Sequence, residues 1–353
     1  VRSSGARARY ARVLGVPHAR GLLTAEFPAR LPVALNGLAI VLFVREQTGS
    51  YASAGLVAAA FGAAVAITQP LLGRMIDRRG LRIIVVPSAL LHAVAMAALV
   101  SSGFAGAPVG ALAAIAVVAG AGLPPLGSVS RSLWPRILRE AGEDPELLST
   151  ALAVEGVMIE LIFVTGPLLV AGLTVLVDPA AALVLSPVLL LTGLALFLLQ
   201  PPVQTWEISV HAGGHGPWGA LRSRGIQTLV LTTLPMGFCF GAMEVTVPAF
   251  SEDHGARPLA GLLLAVWSAG SATGGLLYGA RSWSGPAGDR YARFASLLPL
   301  GYFPLALAPS MLAMAPLVLV AGLCIAPTLT AANQIAGDVA PPGTETEAYT
   351  WPI

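Results

Sequence analysis

The chain has 353 residues, 56% of them hydrophobic and only 11% charged, with a mean hydropathy of +0.77 and a formal net charge of +2. A soluble domain is about 45–50% apolar and about 25% charged, so this composition excludes one and points to an all-α integral membrane protein. All 20 basic residues are arginines dispersed among the connections, which gives nucleic acid no basic surface to bind.

A hydrocarbon core of about 30 Å takes about 20 mostly apolar residues in helix. Ten runs meet that requirement in chain order, at Leu22–Val44, Tyr51–Leu72, Leu81–Gly103, Val109–Val129, Thr150–Val177, Ala180–Leu199, Ile226–Phe250, Leu259–Tyr278, Ala292–Ala308 and Leu312–Ile335. An eleventh starts near Thr346. Alternation at period two is absent from them, which argues against an outer-membrane barrel.

Of the 20 arginines, 17 fall in the N-terminal tail or in the connections after even-numbered runs, whereas the other set of loops holds only Arg45 and Arg257. Arginine bias places the N-terminus and the arginine-rich loops in the cytoplasm. The predicted organisation is a cytoplasmic tail over 1–21, a six-helix bundle over 22–199, a Gly- and Pro-containing cytoplasmic loop over 200–225, and an incomplete second bundle over 226–353. The apolar run after the basic tail exceeds a signal-peptide core in length and is read as a retained span.

An internal repeat supports two halves. At an offset of 206, Ala54, Gly55, Leu56, Ala59, Ala63, Ala66, Leu71 and Gly73 match Ala260, Gly261, Leu262, Ala265, Ala269, Ala272, Leu277 and Gly279, eight identities in twenty positions. At an offset of 203, Leu31-Pro32 matches Leu234-Pro235. Two parallel six-span bundles are the implied plan, and completing the last two spans of the second is expected to take some further 45 residues.

Between the second and third runs lies GRMIDRRGLR, Gly73 to Arg82, five charges in ten residues. With Gly73, Asp77, Arg78, Gly80 and Arg82 at the expected spacing, it resembles the cytoplasmic loop signature of the major facilitator superfamily. The resemblance covers nearly the whole chain and is nearest to bacterial proton-coupled efflux members. It implies two pseudo-symmetric bundles around a cavity that opens alternately to each side, in a multi-pass protein of the bacterial cytoplasmic membrane. It also implies that Asp77 clamps the bundles together near the start of the eleventh span and an arginine of the fourth, for which Arg131 is the candidate. In the second half, GARSWSGPAGDR keeps Gly279 and Arg281 but has Trp283 where Asp77 would stand, so the clamp is expected to be asymmetric.

Glu160 is the main candidate for chemistry. At 1.5 Å per residue it lies roughly 15 Å into the fifth span, where a carboxylate costs about 2.5–3.5 kcal/mol on insertion scales. That cost makes it a candidate proton carrier or a site for a cationic substrate. Glu155 is shallower and rotated away from it, with the cytoplasmic vestibule as its expected surroundings, and Glu244 lies nearer the outer end. Glu26 and Arg30, four apart, read as a local ion pair. Gly166-Pro167 matches part of an antiporter pattern and predicts a kink above Glu160. The fourth span lacks the early arginine that drug antiporters show. Asn36, Gln69, Met236, Phe240, Trp267 and Asn333 are cavity candidates, with helix packing the alternative for each.

His211 and His215 lie in a Gly-rich linker, and Cys239 and Cys324 in apolar runs without ligand spacing. No metal site and no cofactor is expected. The implied function is proton-coupled export of small organic compounds by a monomer. Uptake on the same fold and a non-transporting remnant are the alternatives; an enzyme is disfavoured, for no nucleophile or metal constellation appears.

Overall fold

The computed structural model describes residues 10–144, 147–205, 219–279 and 286–351. Arg2, Arg7, Arg9, His211, His215, Arg281 and Trp283 lie outside them. Among the described residues all regular structure is helical. The first six spans are α1 (Ala19–Thr48), α2 (Tyr51–Arg79), α3 (Leu81–Phe104), α4 (Val109–Ala121) continued by α5 (Leu126–Glu140), α6 (Leu147–Leu176) and α7 (Pro179–Leu198). A short helix, α8 (Pro201–Gln204), precedes α9 (Arg224–Asp253), α10 (Ala260–Gly279), α11 (Ala287–Tyr302), α12 (Met311–Gly322), α13 (Ile325–Val339) and α14 (Glu345–Ala348).

Nine helical segments among the described residues are long and apolar enough to cross a membrane, with α4–α5 and α12–α13 each acting as one. The expected span at Ala292–Ala308 differs. There α11 has only 16 residues and passes into a 3-10 turn at Phe303–Leu307. Pro304 has no N–H to return to the carbonyl of Leu300, so the α-helical ladder stops at that point. The fourth span, expected to be continuous, is interrupted at Gly122–Pro125 by two consecutive prolines. The last span breaks after Gly322, where Pro327 leaves the carbonyl of Leu323 without its helical donor.

Helix ends follow their local chemistry. Ser50, Ser223 and Ser310 accept from backbone N–H groups at the starts of α2, α9 and α12, and Asp178 does so for α7, where Pro179 occupies the first turn. Between α2 and α3 the single residue Gly80 turns the chain at φ 94° and ψ 155°, a conformation essentially restricted to glycine. Gly80→Ala is therefore expected to cost about 1–3 kcal/mol, read as a lowered thermal midpoint of the detergent-solubilised protein.

Glycines set how closely the helices pack. Gly193 of α7 lies against the backbone of Ala29 in α1, and Gly166 of α6 lies against Ala34. In the second bundle Gly270 and Gly274 of α10 face the carbonyls of Leu319 and Leu323, and Gly322 faces that of Trp267. Without a hydrophobic drive between helices in lipid, such close backbone approach supplies much of the association. α1 lies at the centre of the first bundle, and its residues from Ala34 to Val44 are buried almost without a break. Leu176, Phe238 and Leu312, by contrast, are more than three-quarters exposed, an apolar exterior suited to lipid.

Candidate functional site: a cavity between two bundles

A cavity of about 1990 Å³ separates the bundles. Glu155, Glu160, Glu244, Arg131, Gln69, Met236, Phe240 and Asn333 all border it. Asn36 and Trp267 do not. Asn36 is wholly buried and lies 3.5 Å from Nε2 of His92, whose Nδ1 is 2.7 Å from the carbonyl of Ala119. Trp267 packs edge-on to Phe240 at 5.2 Å and to Tyr302 at 6.4 Å. Both residues support the wall from behind.

Glu160 is 9% exposed and sits where α6 meets α10. The hydroxyl of Ser271 on α10 donates to its Oε1 at 2.8 Å, and the same Oγ accepts the N–H of Ala326 at 3.1 Å. The break between α12 and α13 explains that donor. Ala326 is the second residue of α13, and its N–H has no helical carbonyl to use. A carboxylate of the first bundle is thus tied through one hydroxyl to a broken helix of the second. The helix α6 runs on through Pro167, whose carbonyl faces Gly261 of α10, so Gly166 and Pro167 both lie at helix contacts.

Glu155 faces other neighbours. Its carboxylate takes Nη1 of Arg30 at 2.9 Å, Oγ of Ser130 at 2.7 Å and Nε1 of Trp134 at 2.9 Å. Arg30 also holds Glu26 at 2.6 Å. The pair expected to be local is therefore part of a buried cluster joining α1, α5 and α6. Two of its members are visible in sequence at helical spacing; the third lies 125 positions away. Glu244 lies directly over Gly37 of α1, where no side chain would fit.

At the arginine-rich end of the bundles, α14 docks on α2. Asp77 takes a hydrogen bond from the side chain of Thr346 and the N–H of Glu347 at 3.3 Å. Gly73 permits the approach, since a Cβ there would stand 3.2 Å from Cα of Glu347. Arg131 does not join Asp77. It lies over the ring of Tyr349, 5.7 Å from the centroid, because α5 brings it to the cavity wall. The ionic partner at this end is Arg74, whose Nε and Nη2 reach Glu347 at 3.0 and 2.6 Å. Glu347 is completely buried, and Gly219, at φ 43°, leaves the space for its carboxylate. Arg82 donates to the carbonyl of Leu198 at 2.9 Å, at the end of α7.

The opposite end is closed by charges from both bundles. Glu252 of α9 pairs with Arg45 of α1 and accepts from Tyr51 at 2.8 Å, while Arg257 donates to the carbonyl of Leu42 at 3.4 Å and lies 3.7 Å from Glu46. Nε of Arg257 also lies 3.9 Å from Glu252, so Arg45 and Arg257, the two arginines of the sparse loop set, meet on one acid. Glu252→Gln is expected to weaken this closure by about 1 kcal/mol, part-exposed ion pairs being worth little singly. Raised access of an impermeant thiol reagent to Gly62→Cys, a cavity position with open space for a side chain, in a cysteine-free background would report it.

The sequence model described as Major Facilitator Superfamily matches residues 22–351. No curated protein matches the sequence significantly. Among solved structures, a mutant of the nucleoside transporter NupG superposes with a TM-score of 0.61 at 13% identity, covering 94% of this chain and 86% of that one. An auto-inhibited POT family peptide transporter gives a TM-score of 0.55 at 14% identity, covering 94% and 85%. At such identities the likeness is one of fold.

Proposed function

Since the chain belongs to the Major Facilitator Superfamily of membrane transporters, we propose that it is a secondary transporter that exports small organic compounds in exchange for protons by alternating access. The observation that carries this reading is Glu160, a buried carboxylate that borders the cavity and is also hydrogen-bonded across the two bundles. Ionised, it is a strong acceptor for Ser271; protonated, it is a weaker one, and the contact between α6 and α10 loosens. Proton occupancy thereby biases the relative position of the bundles, as coupling requires. Phe240 and Met236 beside Glu160 and Glu244 favour an amphipathic compound carrying positive charge.

In this reading the arginine-rich end faces the cytoplasm of a bacterium, and the protein works as a monomer. Proteoliposomes with an imposed pH gradient test it. Accumulation of a fluorescent lipophilic cation against its gradient, in exchange for protons and lost on adding a protonophore, is the expected result. Co-movement of proton and substrate in the same direction would replace export by uptake, and flux indifferent to the pH gradient would overturn proton coupling.

A further inference from the structure

The cluster around Arg30 contains more hydrogen bonds than its ordinary hydrogens can make. Nη1 of Arg30 reaches Glu26 Oε1 at 2.6 Å and Glu155 Oε2 at 2.9 Å. Oγ of Ser130 lies 2.6 Å from Glu26 Oε2 and 2.7 Å from Glu155 Oε1. Nε1 of Trp134 reaches Glu155 Oε1 at 2.9 Å. That makes five contacts. Arg30 Nη1 carries two hydrogens and Ser130 and Trp134 one each, which makes four. A single hydroxyl hydrogen shared between two acceptors would leave both contacts long, whereas both are short. The fifth hydrogen belongs to a carboxylic acid, donated to Ser130.

The neighbours decide which acid holds it. Glu155 Oε1 already accepts from Trp134 and Oε2 from Arg30, so three donors serve Glu155 as an anion. Glu26 is 0% exposed and has Arg30 alone as an ionic partner. We infer that Glu26, Ser130 and Glu155 form a second proton-binding site, in which a proton held on Glu26 Oε2 exchanges with the cavity through Ser130 and Glu155. The transfer balances. The Glu26 O–H bond breaks as a bond forms to Ser130 Oγ, and Ser130 passes its own hydrogen to Glu155 Oε1. Glu155 and Arg30 border the cavity, whereas Glu26, Ser130 and Trp134 do not. The path thus leads from a sealed acid to one on the cavity wall.

The charges facing this site are Arg30 on α1 and Glu155 on α6, with Arg131 on α5 beside them and Tyr349 beyond Arg131. α7, which packs along the same stretch of α1, has no ionisable side chain. Use of this proton in coupling rests on the proton-exchange reading above; its presence in the protein does not.

Infrared difference spectroscopy of the purified full chain in lipid nanodiscs at neutral pH tests the site. Glutamine at position 26 reproduces the protonated acid, its amide donating to Ser130 and its carbonyl accepting from Arg30, so Glu26→Gln is expected to keep the wild-type thermal midpoint. It is expected to lose one carboxylic acid C=O band that Glu160→Gln retains. Glu155→Gln is expected to lower the midpoint, because its amide faces donors, and to slow deuterium exchange of the Glu26 band. Retention of every acid band in Glu26→Gln would overturn the site. So would equal destabilisation by the two glutamine variants, since two ionised partners of Arg30 would respond alike. Because Glu160→Gln leaves this band in place, failure of the site and failure of the Glu160 reading are distinguishable.

Discussion

Glu160→Gln is expected to abolish proton-driven transport while leaving substrate exchange without a gradient in place. Glutamine keeps an oxygen to accept the Ser271 hydroxyl and so preserves the hydrogen bond between α6 and α10. It has no titratable proton. The coupling free energy between proton and substrate should vanish, whereas affinity in equilibrium counterflow should change little. Insertion should improve, because the substitution removes an acid worth about 2.5–3.5 kcal/mol at a helix centre. Gradient-driven uptake into inverted vesicles at the wild-type rate would remove Glu160 from the mechanism. Ser271→Ala provides the contrast. It leaves Glu160 titratable but removes the hydrogen bond through which its protonation acts and strands the N–H of Ala326, at about 1–3 kcal/mol, so it should shift the balance of conformations and weaken coupling while proton binding persists.

What could be read from the sequence divides by distance along the chain. Hydropathic runs gave the helices because backbone satisfaction in lipid leaves few alternatives. α1, α3, α6 and α7 match their expected limits within a few residues. Breaks were harder to read. Pro124-Pro125 interrupts a run that stays apolar throughout, and the break near Leu323 is set by Pro327, four residues downstream. Its consequence, a free N–H for Ser271, depends on a helix 55 positions away. The site shows the same limit. Glu160 stands out as a lone acid in an apolar span, and Glu26 and Arg30 as neighbours on one helix. Arg74 looks like one more loop arginine until α14 brings Glu347 to it across 273 positions.

Arg74→Gln is expected to open the arginine-rich end far more than Asp77→Asn, although the loop signature directs attention to the aspartate. Asp77 meets neutral donors, the Thr346 side chain and an N–H at 3.3 Å. Asparagine keeps one acceptor for them, so the loss is about 1 kcal/mol. Arg74 holds a carboxylate that is completely buried, through two hydrogen bonds. Removing one partner of such a pair leaves an uncompensated charge and costs about 3 kcal/mol or more. The protein escapes that cost by separating α14 from α2 and hydrating Glu347. About 3 kcal/mol is roughly a hundredfold in a two-state equilibrium, against roughly fivefold for Asp77→Asn. Labelling of Asn333→Cys on the cavity wall, in a background lacking Cys239 and Cys324, measures both shifts. Adding Glu347→Gln to Arg74→Gln should recover most of the closed population, because the stranded charge and not the lost contact drives the opening. If the double variant labels as fast as Arg74→Gln alone, the clamp depends on the geometry of α14 and not on its buried ion pair.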